Sequence, residues 1–261
     1  MKAAVRRSAS EGSATGSRDG GGFVGAGNRD KSVVALADEF DHPRALGSGR
    51  RSEVLGRLTA RPTPFWKRAT DIVASLGLML LLAPLLLAIA VYIRLVSRGP
   101  VLFQQARMGW MGEDFTIYKF RTLQACDSAT ADHRLFVAQL SASDGVLTKP
   151  DLTKRLIPGG GFLRRTSLDE LPQLWNILVG NMSLIGPRPD VLGWEDYQPH
   201  QLRRFEVVPG VTGWWQVSGK NRLTFEQMIA KDLEYVDRRS PLLDLKILLL
   251  TVKFLLQRDN H

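Results

Sequence analysis

The sequence predicts a mixed, helix-rich α/β protein, in which a membrane-embedded, re-entrant helix precedes a compact domain with a small β-hairpin and membrane-surface helices. Three stretches carry that reading. Residues 72–93 run IVASLGLMLLLAPLLLAIAVYI without one charge. Residues 101–121 read as two strands on either side of Gly109-Trp110-Met111-Gly112, as a hairpin does. Residues 225–256 read as two helices separated at Ser240-Pro241.

Residues 1–60 are rich in Gly, Ser, Arg and Asp and have hardly any periodic apolar pattern. Such a segment cannot offset the entropy of ordering, so a disordered tail is expected. No apolar h-region follows Met1-Lys2, and no secretory signal peptide is expected. Gly20, Gly22 and Gly25 fit a G-x-G-x-x-G pattern, but no strand precedes them and no helix follows, which argues against dinucleotide binding.

Residues 61–97 form the membrane-embedded segment. As one straight helix the apolar run would reach about 33 Å, enough for a hydrocarbon core of roughly 30 Å. A buried core helix is the plain alternative, yet the run has no polar face. Pro84 stands at its centre, removing one backbone hydrogen bond and crowding the preceding turn. A kinked spanning helix remains open, since membrane helices tolerate proline. Cations lie on both flanks: Arg61, Lys67 and Arg68 before the run, Arg94, Arg98 and Arg107 after it. Positive flanks belong on the cytoplasmic side, which favours a helix that bends near Pro84 and returns.

Residues 98–257 form the compact domain. Val101–Gln105 and Phe115–Arg121 are its predicted strands, and alternation puts Lys119 and Arg121 on one face, Tyr118 and Phe120 on the other. Solvated edge-strand charge would account for the two cations equally. Residues 123–160 read as irregular. Phe225–Val236 is an amphipathic helix, and Leu242–Leu256 is a very apolar one, suited to the core or to the bilayer surface.

The 261-residue chain carries a net charge of +9 and a pI near 10.0, so an anionic partner is expected: nucleic acid, anionic lipid or a phosphorylated substrate. Its single cysteine, Cys126, excludes an internal disulfide framework and multi-cysteine metal sites. His42, His133, His200 and His261 are scattered without helical ligand spacing, which argues against a zinc hydrolase.

The chemistry concentrates in Thr166-Ser167-Leu168-Asp169-Glu170-Leu171-Pro172-Gln173-Leu174-Trp175-Asn176. Ser167 and Glu170 have capping-box spacing, but that register puts Pro172 at the fifth helical position, where its missing N–H is needed. Asp169 as N-cap moves Pro172 to the third position and is preferred. Two carboxylates then meet at a helix N-terminus that also favours phosphate; a merely well-capped helix is the alternative. In Gly186-Pro187-Arg188-Pro189 the prolines hold one guanidinium ready for a phosphate. Pro209-Gly210-Val211-Thr212-Gly213 and Gly219-Lys220-Asn221 approach a P-loop. However, the glycines are one residue too far apart and Asn221 stands where Ser or Thr is required. No G-x-S-x-G elbow occurs.

Taken in order, Asp71 with the apolar run, Gln105-Ala106-Arg107, Tyr118-Lys119-Phe120-Arg121-Thr122, the Ser167–Asn176 block, Gly186-Pro187-Arg188-Pro189 and Pro209-Gly210-Val211-Thr212-Gly213 resemble the bacterial sugar transferases. These are the polyprenol-phosphate phosphoglycosyltransferases that start exopolysaccharide and O-antigen chains. The resemblance covers residues 64–256 and, with one apolar segment, points to the minimal monotopic class. Ala83 replaces a serine common before the bend proline, and Pro158-Gly159-Gly160-Gly161 is looser than usual.

The resemblance implies transfer of a sugar-1-phosphate from a UDP-sugar to undecaprenyl phosphate, with UMP released, at the cytoplasmic face of the bacterial inner membrane. It makes Asp169 the nucleophile and Glu170 the base or metal-positioning partner, with Mg²⁺ held by Asp169 and Glu170. Arg188, Lys119, Arg121 and Arg164 become phosphate clamps, with Arg107, Thr122 and Lys220 as further candidates. Expected partners are membrane lipid and polysaccharide-assembly proteins. A non-catalytic membrane scaffold would need the charge and the apolar run but not the carboxylate pair. No recognised nucleic-acid-binding motif is present, so no nucleic acid is expected.

Overall fold

Pro84 divides the apolar run into two helices. The computed structural model describes residues 56–124, 153–219 and 222–256. Helix α1 (Phe65–Leu81) and helix α2 (Ala83–Val96) meet at Leu82 and are bent by 62°. Pro84 lies in the first turn of α2, where a missing N–H is tolerated and the helix restarts. The arms hold 17 and 14 residues, roughly 25 and 21 Å of helix. No single helix among the described residues is long and apolar enough to cross a membrane. Val73, Leu80, Leu81, Leu87 and Leu95 stand exposed on the two arms.

Both feet of this bend stand on one body. Upstream, the Arg61 N–H donates to the Glu206 carbonyl at 2.9 Å and its guanidinium to the Val236 carbonyl at 2.9 Å. Lys67 forms a buried ion pair with Asp244 at 2.6 Å. Arg68 donates to the Ile177 and Leu178 carbonyls at 2.7 and 2.8 Å. Downstream, the Arg121 guanidinium donates to the Arg98 and Ser97 carbonyls at 2.7 and 3.2 Å, just beyond the end of α2, where carbonyls lack intrahelical partners.

Strands β1 (Leu102–Met108) and β2 (Asp114–Phe120) pair antiparallel from Leu102↔Phe120 to Met108↔Asp114. β1 runs three residues beyond its expected end at Gln105. The Gly109 N–H closes on the Glu113 carbonyl at 2.8 Å, and the connecting 3₁₀ turn carries left-handed Met111 and Gly112. Ladder pairing therefore persists to the turn itself. Of the stretch expected to be irregular, residues 125–152 lie outside the described residues, as do the 1–55 part of the tail and Lys220. Helix α3 (Gly160–Arg165) forms inside the glycine-rich stretch.

Helix α4 (Gln173–Val179) ends at Gly180, whose φ of 97° turns the chain away, and Arg68 donates to two successive carbonyls at that end. Strands β3 (Ser183–Ile185) and β4 (Gly210–Thr212) pair in parallel. A Cβ at Gly210 would lie 2.0 Å from the Gly186 nitrogen, so glycine is required there. Helix α5 (Trp214–Val217) leads to α6 (Phe225–Arg238), opened by a capping box between Thr224 and Gln227. Helix α7 (Pro241–Leu256) buries Ile247 and exposes Leu242, Leu245, Leu249 and Val252.

Asn176 locks α4 to the hairpin. Fully buried, its Oδ1 accepts the Tyr118 N–H at 3.1 Å and its Nδ2 donates to the Thr116 carbonyl at 2.7 Å, so one amide serves the open edge of β2. Asn176→Ala should cost roughly 2–4 kcal/mol, because both backbone groups lose their partner. Denaturant unfolding in detergent checks this, and a loss under about 0.5 kcal/mol would show that water replaces the amide.

Candidate active site

The charged side chains converge on the turn between α3 and α4. Ser167 is left-handed at φ 56°, Leu168–Glu170 form a 3₁₀ turn, and Pro172 occupies the N-cap position of α4. The expected register, with Asp169 as the N-cap, is not the one that forms. The Glu170 and Leu171 N–H groups bond back to the Ser167 and Leu168 carbonyls at 3.1 and 3.3 Å, and the α-helix begins only after the residue that cannot donate. Leu168 and Leu171 pack on the cluster of Ile89, Phe120 and Ile157. The Asp169 carboxylate is thereby released from capping, and it makes no hydrogen bond or ion pair with any described residue.

Glu170 has the opposite fate. Its Oε1 accepts from Lys119 Nζ at 2.7 Å and from Arg188 Nη2, and its Oε2 accepts from Arg188 Nη1 at 3.3 Å. Burial alone would raise the Glu170 carboxyl; Arg188 and Lys119 overcome it and hold the group well below the usual carboxylate range. Burial pushes the Asp169 carboxyl up to about 6, with the Glu170 charge adding to the rise against the pull of Lys119. Burial also lowers the Lys119 ammonium, despite Glu170. Neighbouring carboxylates are thus set to different acidities by unequal shares of the same cations.

Two buried arginines seat the loop that carries Arg188. Arg204 Nη2 donates to the Arg188 carbonyl at 2.7 Å, while Nη1 donates to Asp190 Oδ2 at 2.7 Å and to the Tyr197 hydroxyl at 2.8 Å. Asp232, paired with Arg204 at 2.8 Å, is pushed up to about 7 by burial, with Arg204 opposing. Arg107 donates to the Pro189 carbonyl at 3.3 Å and to Gln105 Oε1 at 2.6 Å. Sequence reasoning missed Arg204, Asp190 and Asp232. No spacing links 190, 204 and 232, and the one local sign was Asp190, two residues after the proline-flanked arginine.

Lys119, Glu170 and Arg188 therefore meet, with Asp169 beside them. Arg164, exposed on α3, favours the Asp169 anion through its charge without contacting it. Arg121 departs from its expected place among the clamps: β2 stops at Phe120, and the guanidinium is engaged by the carbonyls of Ser97 and Arg98. Arg107 is buried behind the Arg188 loop, and Thr122 is buried with its carbonyl accepting the Ile157 N–H at 3.0 Å.

No group of three or more His, Cys, Asp or Glu gathers among the described residues in a way that could hold a metal ion. Glu170, expected as a metal ligand, has both oxygens accepting from cations already, so it does not fit that role in this arrangement. Asp169 fits, since Mg²⁺ keeps several waters and takes only one or two carboxylates beside phosphate oxygens.

The sequence matches the Bacterial sugar transferase family over residues 62–258. It is 41% identical over 201 residues to EpsL of Bacillus subtilis, named an uncharacterized sugar transferase, covering 75% of this chain and 92% of that protein. It is 40% identical over 238 residues to the UDP-glucose:undecaprenyl-phosphate glucose-1-phosphate transferase of Caulobacter vibrioides, covering 87% of this chain and 84% of the relative. The Rhizobium leguminosarum exopolysaccharide production protein PSS is 38% identical over 200 residues, covering 71% and 92%. The match takes in the bent helix pair, the hairpin and every residue of the clamped carboxylate pair, and the chain belongs to the bacterial sugar transferase family of enzymes.

Proposed function

We propose that this enzyme moves a sugar-1-phosphate from a UDP-sugar to undecaprenyl phosphate, releasing UMP, as the first membrane step of exopolysaccharide or O-antigen synthesis. The observation that carries the reading is the asymmetry of the acidic pair. Glu170 is held by Lys119 and Arg188, whereas Asp169 is unpaired among the described residues and lies within the field of the same cations. The relative from Caulobacter vibrioides is named for that transfer with glucose.

In the proposed first step an Asp169 carboxylate oxygen attacks the sugar-bearing phosphorus of the UDP-sugar. The bond from that phosphorus to the bridging oxygen breaks, UMP leaves, and an acyl phosphate carrying the sugar remains. In the second step a phosphate oxygen of undecaprenyl phosphate attacks the same phosphorus and frees Asp169, giving the lipid diphosphosugar. One site thus serves two anionic substrates in turn. Lys119 and Arg188, anchored by Glu170, supply fixed positive charge where negative charge gathers in both steps. Arg164 adds charge from the solvent side. Mg²⁺, which Asp169 would hold together with substrate phosphate oxygens, supplies charge neutralisation at the diphosphate.

The bent helix pair is proposed to lie in the cytoplasmic membrane as a re-entrant hairpin, with the catalytic domain on the cytoplasmic face. Support comes from Arg61, just before the hairpin, and from Lys67 and Arg68 in the first turn of α1: they bond to the same domain that receives its downstream end. A crossing helix would separate these partners by the thickness of a bilayer. The exposed leucines of α7 suit the same surface.

With UDP-glucose, Mg²⁺ and polyprenyl phosphate, Asp169→Asn should release UMP at least about a thousandfold more slowly while remaining folded, because an amide cannot serve as the nucleophile. Wild-type protein without acceptor should retain radiolabelled sugar-phosphate, and the variant should not. Near-normal turnover by Asp169→Asn would end the covalent reading. Because Asp169 attacks as the anion and its carboxyl is raised to about 6, kcat/KM should fall as pH drops through that value. An acid limb centred near the ordinary 3.8 would mean that the Asp169 carboxyl is not raised in the working enzyme. For topology, Thr59→Cys and Glu113→Cys in a Cys126→Ser background should both resist an impermeant thiol reagent until spheroplasts are opened. Labelling of position 59 in intact spheroplasts, with 113 protected, would mean a crossing helix.

A further inference from the structure

Asp71 is a buried carboxylate that the proposed chemistry does not use. It lies on α1, the first arm of the apolar bend, and is 2% exposed. Its Oδ1 accepts the Leu184 N–H at 2.9 Å and the Ser183 hydroxyl at 3.1 Å. Both donors belong to β3. A carboxylate withdrawn from water is costly unless donors compensate it, and here β3 supplies them.

What Asp71 holds is the free edge of a two-stranded sheet. On its other side β3 pairs with β4, through Ser183↔Gly210 and Ile185↔Thr212, and the Ser183 N–H donates to the Pro209 carbonyl at 2.8 Å. Alternate residues of a parallel strand bond to one neighbour, so the Leu184 N–H faces away from β4 and towards α1. The carboxylate stands where a third strand would.

The hold on β3 reaches the phosphate clamp. Only Ile185, Gly186 and Pro187 separate Leu184 from Arg188. Little displacement can be absorbed between them, because β3 and β4 touch backbone to backbone at Gly186 and Gly210 and prolines fix φ on both sides of Arg188. The Gly210 N–H donates to the Pro187 carbonyl at 2.9 Å, and Arg188 Nη1 donates to the Val211 carbonyl at 3.0 Å. Arg188 is thus built onto the sheet whose edge Asp71 holds. A second tie runs from Lys67, one turn earlier on α1. Lys67 pairs with Asp244, which accepts from the Tyr235 hydroxyl at 2.8 Å, and that hydroxyl lies 3.2 Å from the Ile185 carbonyl.

We propose that Asp71 is a positioning residue for the reaction: from the apolar hairpin it fixes β3, and through β3 the place of the Arg188 guanidinium against Glu170. Phosphate binding is thereby tied to the seating of α1 on the domain. The proposal rests on the function argued above for what Arg188 does, and adds what sets Arg188 in place.

Wild type, Asp71→Ala, Arg188→Ala and the double variant, each the full chain in phospholipid nanodiscs, are compared by kcat/KM for UMP release from UDP-glucose. Asp71→Ala should lose at least about twentyfold when Arg188 is present and less than about twofold when it is already alanine, since a residue acting through Arg188 then has nothing to act on. An equal loss in both backgrounds would make Asp71 a general support of the fold and overturn the proposal, as would turnover within about twofold of wild type. Asp71→Asn keeps an acceptor oxygen without the charge and takes the same place in the cycle where the alanine variant does not fold. Its loss should be about fivefold, again only with Arg188 present.

Hydrogen exchange gives a readout independent of turnover. In either Asp71 variant, amides between Leu184 and Arg188 should exchange at least about tenfold faster while those of β1 keep their protection; unchanged exchange at 184–188 would overturn the proposal. If wild type releases no UMP from any UDP-sugar, faster exchange confined to that segment keeps Asp71 as the holder of Arg188 and removes the function. Wild-type turnover with equal losses in both backgrounds removes the positioning role and keeps the function.

Discussion

Two carboxylates adjacent in sequence and largely withdrawn from water cannot both stay fully ionised unless cations reach them, and here Lys119 and Arg188 both contact Glu170. That unequal division sets the acidity of Asp169 and requires much of the fold. Lys119 arrives on β2, whose open edge is bound by Asn176 of α4; Arg188 arrives on a loop braced from behind by Arg204 and Arg107. Removing Arg204 would leave buried Asp232 without its cation, a larger penalty than the loss of an exposed ion pair.

Features that follow from local periodicity were legible in the sequence. The uncharged run, the break at Pro84, the two strands and the helix opening after Thr224 all appear where the pattern put them, with ends shifted by a few residues. The grouping of Lys119, Glu170 and Arg188 came from the family resemblance rather than from spacing. The register of the acidic turn was not legible, because the choice between an α N-cap and a 3₁₀ turn depends on Leu168 and Leu171 finding the Ile89–Phe120 cluster, a tertiary contact. Arg121 misled for a related reason. Alternation placed it on the Lys119 face, but the strand ends one residue earlier and carbonyls just beyond α2 compete for its guanidinium.

The cations flanking the apolar run show how one pattern in sequence serves two physical ends. Arg61, Lys67 and Arg68 fit a simple charge bias at a membrane interface. In the structure each has specific partners: Arg61 at the Glu206–Val236 surface, Lys67 with buried Asp244, and Arg68 at the end of α4. Replacing them with other cations would preserve the bias and lose the geometry, most plainly at Arg68, whose two nitrogens reach two successive carbonyls.

Because ties at both feet of the bend run into the domain, helix pair and carboxylates form a single rigid bracket with a built-in depth gauge. In the re-entrant placement proposed above, the height of Asp169 above the hydrocarbon would be set by arm length and by the angle at Leu82, not by the thickness of the whole bilayer. A spanning anchor tilts or stretches when the membrane thins or thickens, whereas a bracket resting in one leaflet does not register the other. In the proposed placement and function, the lipid phosphate would then meet the carboxylate at a constant level in membranes of different composition.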